Sequence, residues 1–475
     1  MNIPLMPILP LIVLSAASVV IMLTIACYRN HRLTYFLTLA TTVVAFLILP
    51  AISSQAPAQV TSLLLIDGYA LFYSGLILLS LLAVTLLSYD YLNGRRENPE
   101  EYYILLLVAT LGSIILVASS HFASFFLGLE ILSISLYALI AYDRRPLMIE
   151  AGLKYLVLAA ASSSFLLFGM ALIYAQLGTM SFSEIASKLP SAGAIDLVYA
   201  VAIVMIIIGI GFKLSLVPFH MWTPDVYQGA PAPVTAYIAT VSKGAVFALL
   251  LRYFSGAEFH AYGSLFVIFT IIAIISMFTG NLLALFQTNI KRLLAYSSIA
   301  HLGYLLVAFL SSGPLRVSAV TFYLVAYFVM TLGAFGVVTV LSGKENDADE
   351  IEDYHGLVKR RPVLAATFTV MLLSLAGMPL TAGFIGKFYL VAAGVGSMLW
   401  LLVITLLVNS VIGLFYYLRV IAVMYVRELE PGVIAPARLM TGNLVLAALF
   451  VALVWLGVYP GPVLEMIQAI RLVAG

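Results

Sequence analysis

Charge is what this 475-residue chain has least of: only 9% of its residues are Asp, Glu, Lys or Arg. Soluble domains carry about 25%. With 63% hydrophobic residues, the composition is that of an integral membrane protein. Cysteine is nearly missing as well. The single Cys27 excludes an internal disulfide and any four-cysteine iron–sulfur site. No G-x-G-x-x-G follows a strand-like run, no Walker A sequence is present, and no His/Cys cluster has zinc spacing. These absences predict that the chain holds no redox cofactor, metal or nucleotide of its own. The opening MNIPLMPILPLIVL has no Lys or Arg, so it lacks the basic start of a cleaved signal and reads as a first transmembrane helix.

What is present is a series of apolar runs of spanning length. They fall near 8–27, 33–52, 69–89, 102–119, 121–141, 151–175, 197–217, 231–254, 262–285, 293–312, 316–341, 363–379 with 383–394, 399–426 and 441–458. The fold class expected is therefore an all-α polytopic membrane protein with about 14 transmembrane helices, the seventh and twelfth interrupted. The tail from Pro460 to Gly475 reads as a short amphipathic surface helix. Loops that follow odd-numbered spans hold fourteen of the basic residues, against four in the even-numbered loops and tail. By the positive-inside rule the odd loops are cytoplasmic and both termini periplasmic. Lys291 and Arg292 count among those anchors, and Arg252 among the four on the other side. The charged loop GKENDADEIEDYHGLVKRR after the eleventh span reads as a solvated cytoplasmic segment, with an alternative as a docking edge.

The chain is organised around Gly211 to Val234, GFKLSLVPFHMWTPDVYQGAPAPV. Lys213 lies inside an apolar run, and five residues on Pro218 removes a backbone donor and breaks or kinks the helix. His220 follows two residues later, placed to serve the broken end or a path through it. An ionisable group beside a broken helix at membrane depth is tolerated where it lines a cavity or an ion path. The plain alternative is a lysine reaching to the interface beside a proline that ends its helix. A second arrangement of the same kind weighs against that: in GMPLTAGFIGKFYL, Gly377, Pro379, Gly383 and Gly386 break the twelfth run and Lys387 sits just past the break. Lys213 and Lys387 are 174 residues and five spans apart. An odd number of spans between two copies reverses their direction, and paired broken helices in an inverted repeat point to an ion or substrate pathway.

Glu130, in FLGLEILSISLY, is the only carboxylate deep within a span. Alone at that depth it favours its neutral form, whereas with an ammonium partner the two stay charged together. Lys213 or Lys243 is the economical partner, and such a pair serves either to fix helix register or to control when a lysine keeps its proton. Lys243, in ATVSKGAVFALLL, is too deep to reach the interface cheaply. His301, in SSIAHLGYLLV, ionises near neutrality when unperturbed and is either a relay or a hydrogen-bonded core histidine. Lys154 sits in the first turn of its helix, four residues after Glu150, where a rim ion pair suffices. Arg419 has no evident partner.

These residues carry a resemblance. GFKLSLVPFHMWTPDVYQGAPAPV, FLGLEILSISLY, TNIKRLLAYSSIAHLGYLLVA and SLAGMPLTAGFIGKFYL resemble the antiporter-like subunits of respiratory complex I, most closely the subunit N family of NADH–quinone oxidoreductases. The resemblance covers nearly the whole chain. It implies inverted repeats of helices four to eight (102–254) and nine to thirteen (262–426), flanked by helices one to three (1–95) and a terminal helix with its tail (427–475). It implies a proton path along a central polar axis, with Glu130 and Lys213 as the acid–lysine pair. Lys243 matches the central lysine, His301 the tenth-helix histidine and Lys387 the lysine of the second broken helix. Lys154 matches a family lysine too, which lifts it above the rim reading. The implied partners are the other membrane subunits of the complex, and flavin, iron–sulfur clusters and quinone are expected in other subunits. Two other classes compete: a sodium/proton antiporter of the Mrp type, and a membrane scaffold with a frozen ion-pair network.

Overall fold

The structure, a computed structural model, describes residues 5–95, 98–188, 197–254, 263–426 and 440–470. The basic positions Arg96, Arg427, Arg438 and Arg471 and the end of the tail lie outside them. In chain order the helices are α1 (Leu9–Cys27), α2 (His31–Ser53), α3 (Gly68–Leu92), α4 (Glu100–Ala118), α5 (Phe122–Ile140), α6 (Pro146–Leu177) and the short α7 (Phe182–Lys188). Then come α8 (Leu197–Lys213), α9 (Trp222–Gly229), α10 (Ala232–Tyr237), α11 (Lys243–Tyr253), α12 (Gly263–Ala284), α13 (Ile290–Phe309) and α14 (Leu315–Leu341). The series closes with α15 (Leu357–Arg360), α16 (Pro362–Ala376), α17 (Ala382–Gly396), α18 (Trp400–Met424), α19 (Met440–Val458) and α20 (Gly461–Ala469). A two-residue antiparallel ribbon, β1 (Ala58–Gln59) with β2 (Leu65–Ile66), is the only sheet among the described residues.

Twelve spans among the described residues are long and apolar enough to cross a membrane, the stretch from α10 to α11 counting as one. The interrupted pairs α8–α9 and α16–α17 occupy the positions expected for the seventh and twelfth spans. Helix ends follow local chemistry. Asn30, Asp67 and Asn289 accept the amides of Leu33, Ala70 and Arg292 at 3.0, 2.8 and 3.0 Å, each satisfying a donor that the first turn leaves open. Pro146 begins α6 and Gly178, at φ 68°, ends it. That helix is 32 residues long and starts five residues before the expected run, so Lys154 lies in its third turn rather than its first.

Both expected breaks occur. After Lys213 the chain turns through Ser215 to Pro218 and resumes at Trp222. After Ala376 it turns through Gly377, at φ 86°, a left-handed position that favours glycine, and resumes at Ala382. The span from Ala232 to Tyr253 has a feature that periodicity did not predict: residues Ile238–Ser242 form a π turn directly before Lys243. Such turns are rare and concentrate at functional sites.

The core lies where three spans are most enclosed. In the most apolar 18-residue stretch of each span, 100% of the residues are buried in Ala232–Tyr253, 94% in Leu315–Leu341 and 89% in Ile290–Phe309, against 22% in Leu9–Cys27. Lys243 and His301 sit on two of these three. Close helix crossings recur on either side: Gly112 on α4 faces Gly128 on α5, and Gly280 on α12 faces Ala300 on α13. An added Cβ would meet neighbouring backbone atoms at 2.5 to 2.7 Å at Gly112 and Gly280, so both crossings need the small residues usual between membrane helices.

Candidate functional site

The first broken helix ends on Lys213, and its ammonium turns inward. It is buried, donates to Ser133 Oγ on α5 at 2.6 Å, and lies 3.5 Å from the hydroxyl of Tyr155 on α6. Glu130 is one turn from Ser133 on the same helix and accepts a 2.5 Å hydrogen bond from Ser163 Oγ on α6. The expected direct ion pair is therefore absent: no lysine or arginine nitrogen approaches Glu130 within 4.0 Å among the described residues. Serine hydroxyls hold the acid and the lysine on neighbouring turns instead. Glu130 is also only half-buried.

Beyond Lys213 stands a layer of rings. Its ammonium is 5.1 Å from the Tyr155 ring, and the Tyr155 and Trp222 rings are 4.8 Å apart. On the far side of Trp222 lies Lys243, 1% exposed, with its Nζ 5.1 Å from the Tyr227 ring and 5.9 Å from Trp222. Ring faces attract an ammonium where water is excluded. Lys243 donates to Ser298 Oγ on α13 at 2.7 Å, and Tyr327 on α14 donates to the same oxygen at 2.7 Å.

Along α13 the polar residues Ser297, Ser298, His301 and Tyr304 form one stripe, because residues three and four apart share a helix face. His301 is 1% exposed. Its Nδ1 shares a 2.6 Å hydrogen bond with Tyr323 OH and its Nε2 lies 3.3 Å from Tyr417 OH, which in turn is 2.5 Å from Ser297 Oγ. One turn further, the Tyr304 ring stands 5.2 Å from the buried ammonium of Lys387. Lys387 donates to Ser410 Oγ on α18 at 2.7 Å and to the carbonyl of Ala376 at 2.8 Å.

Four of the seven expected site residues thus form one buried row: Lys213, Lys243, His301 and Lys387. Glu130 flanks its first member. Lys154 is not in the row. It is partly exposed, paired with Glu150 at 2.8 Å and with Asp225 on α9 at 2.9 Å, and Arg292 pairs with the same aspartate at 2.8 Å. His220 is buried in the linker of the first break, and its Nδ1 has no hydrogen-bond partner among the described residues. The hydroxyls of Ser133, Ser163, Ser298, Tyr323, Tyr327, Ser410 and Tyr417 were not foreseen. A Ser or Tyr in an apolar helix gives no signal by itself, although the α13 stripe and the i, i+4 pair Tyr323 and Tyr327 follow the helical period.

Three other expectations are corrected. Lys291 is no exposed anchor: it is buried and bonded to Asp347 at 2.8 Å and to the carbonyl of Ala230 at 2.9 Å. The charged loop is not simply solvated, since Asp347 within it is buried and Arg95 reaches it at 3.0 Å. Arg252 is not a loop residue; it is buried near the end of α11 and gripped by Asp67 at 2.7 and 3.0 Å. Arg419 finds its partners in the carbonyls of Leu285 and Gln287, just past the end of α12.

A polytopic α-helical bundle with two broken spans and buried lysines beside them defines an antiporter-like membrane protein. The family model for the transmembrane part of NADH:quinone oxidoreductases and Mrp antiporters matches residues 119–413. The NADH-quinone oxidoreductase subunit N of Nitrosospira multiformis is 53% identical over 98% of this chain and 96% of its own length. That of Ectopseudomonas mendocina is 48% identical over 99% and 97%. Among solved structures, a chain of respiratory complex I from Thermus thermophilus is 32% identical, covers 98% of this chain and 100% of its own, and superposes with a TM-score of 0.83. A chain of an archaeal membrane-bound sulfane sulfur reductase is 26% identical over 97% of this chain and 96% of its own, with a TM-score of 0.87. The chain belongs to the NADH-quinone oxidoreductase subunit N family.

Proposed function

We propose that this chain is a proton-translocating, non-redox membrane subunit of an NADH:quinone oxidoreductase in the bacterial inner membrane. It associates with the other membrane subunits of that complex. Electron transfer from NADH to quinone, with its flavin and iron–sulfur clusters, belongs to other subunits, and both termini lie on the periplasmic side. The two broken spans and the matching glycine crossings support two inverted five-helix repeats, helices four to eight and nine to thirteen.

The observation that carries the reading is the buried row. Lysine and imidazole nitrogens exchange protons, and Ser and Tyr hydroxyls both accept and donate, so Ser133, Ser298, Tyr323, Tyr417 and Ser410 supply relay atoms between or beside the titratable groups. The charged groups of the row are costly to hold in a membrane interior, where they mark ion pathways. Glu130 sets the state of Lys213 from one helical turn away, and changes in their separation or hydration load or unload that lysine. Lys154 and His220 belong to the approach to the row: Lys154 in the partly exposed cluster with Asp225, His220 in the linker that joins α8 to α9.

Glu130→Ala tests the reading in the assembled complex. NADH-driven proton pumping per complex falls if the acid controls Lys213. Pumping at the wild-type level would favour a structural network of frozen charges.

A further inference from the structure

Two buried carboxylates tie the Lys243 helix to α3 at both of its ends. At one end Asp67, which caps α3, holds Arg252 through two hydrogen bonds of 2.7 and 3.0 Å, and Arg252 Nε donates to the carbonyl of Val117 at 3.2 Å. At the other end Arg95, just past α3, donates to Asp347 Oδ1 at 3.0 Å while Tyr91 OH donates to the same oxygen at 2.7 Å. The second oxygen of Asp347 accepts the amide of Ala232, the first residue of α10, at 3.2 Å and the ammonium of Lys291, at the start of α13, at 2.8 Å. Between the two ends Tyr69 OH donates to the carbonyl of Ala248 at 2.9 Å. The side chains of Asp67, Arg252, Arg95, Lys291 and Asp347 are all 5% exposed or less.

Buried ion pairs stabilise poorly against apolar packing of the same volume, and their best-attested use is to fix register. Here the register concerns two helices that start side by side at Asp347. One runs from Ala232 to Lys243, the other from Ile290 past Ser298, and the two meet again at the 2.7 Å contact between Lys243 Nζ and Ser298 Oγ. Twenty residues separate Ala232 from Arg252, about 30 Å of helix, which matches the apolar thickness of a bilayer. The clamps therefore stand near the two faces, with the π turn Ile238–Ser242 between them.

We infer that Asp347 and Asp67 are positioning residues: they clamp the Lys243 helix at both ends against α3, and Asp347 also locks the start of α13 so that Lys243 and Ser298 stay in register. The clamp stands on geometry alone. Its consequence for pumping rests on the reading of Lys243 as a proton carrier, and the test separates the two.

The experiment is hydrogen–deuterium exchange on the purified whole complex carrying Asp347→Asn, with pumping measured on the same preparation. Exchange over 231–245 and 288–300 speeds up by about thirtyfold, the factor for losing a charge-assisted buried hydrogen bond, while residues of α16 and α17 exchange as in the wild type. Pumping per complex falls together with it, and Asp347→Glu, which keeps the charge, restores most of both. Faster exchange limited to residues 343–349 would overturn the clamp. Faster exchange over both helices with full pumping would leave the clamp standing and remove Lys243 from the path. Should Asp347→Asn not assemble, Lys291→Met, which removes one of the two cations, gives the same pattern over 288–300 or refutes it.

Discussion

Lys387 donates to the carbonyl oxygen of Ala376 at 2.8 Å, so the ammonium on the second half of the broken twelfth span caps the open end of the first. Lys213 does the opposite. It closes its own half-helix and turns away to Ser133. Lys213 stands before its break and Lys387 after its own, and the two lysines do different structural work.

That difference shapes the prediction for Lys387. A cation at a helix C-terminus contributes about 0.3–1 kcal/mol, so Lys387→Met lowers the thermal stability of the complex slightly. If Lys387 also carries protons, pumping falls far more than stability does. Thermal inactivation and pumping, measured on one preparation, separate the two effects.

Ser298 joins Lys243 to Tyr327. Ser298→Ala leaves a buried ammonium without its hydroxyl, a loss of about 1–3 kcal/mol, and slows pumping in the assembled complex. Ser298→Thr keeps the hydroxyl and retains most of the rate. Equal pumping in the alanine and threonine variants would show that the hydroxyl is not used.

Breaking the Asp67–Arg252 pair is costly because the partner left behind is buried. Asp67→Asn destabilises the chain by about 3–5 kcal/mol, read as lower content of assembled complex in membranes. Replacement of both residues by apolar side chains of similar volume recovers part of that loss. If the double replacement is no better than Asp67→Asn, the penalty does not come from an orphaned charge.

The Asp347 carboxyl has its own pH signature. Burial raises it, but the Lys291 ammonium and the Arg95 guanidinium outweigh that and bring it down from 3.8 to about 2. A carboxyl held below its unfolded value contributes stability that is present above the unfolded value and is lost as pH falls through the folded one. The contribution is about 2 kcal/mol. The stability advantage of the wild type over Asp347→Asn is therefore constant above about pH 5 and shrinks between about pH 4 and pH 2. Thermal melts of the two proteins across that range measure it.

Much of the bundle was legible because membrane spans announce themselves by length and apolarity. The breaks were legible because Pro218 and Gly377 leave few alternatives. Lys213, Lys243, His301 and Lys387 stood out because ionisable residues within apolar runs are rare and costly. What the sequence hid was of two kinds. Serine and tyrosine are common in apolar helices, so nothing marked Ser298 or Tyr323 as neighbours of Lys243 and His301. Charges near span ends are ambiguous in the same way: Lys291 and Arg252 looked like interfacial residues, and only their bonds to Asp347 and Asp67 in the folded bundle reveal them as buried. The π turn before Lys243 is a local excess of one residue within a helix, which hydrophobic period does not resolve.

Whether the buried row carries protons is decided most sharply at Lys243. Unlike Lys387, its ammonium meets no helix-end carbonyl among the described residues; it bonds the Ser298 hydroxyl and lies near the Trp222 and Tyr227 rings. Lys243→Arg keeps the positive charge and most of the ring contact but holds its proton at any physiological pH. The measurement is NADH-driven proton translocation per assembled complex in sealed membrane vesicles. Lys243→Arg assembles normally and loses most of its translocation; wild-type translocation in that variant would show that protons do not pass through Lys243.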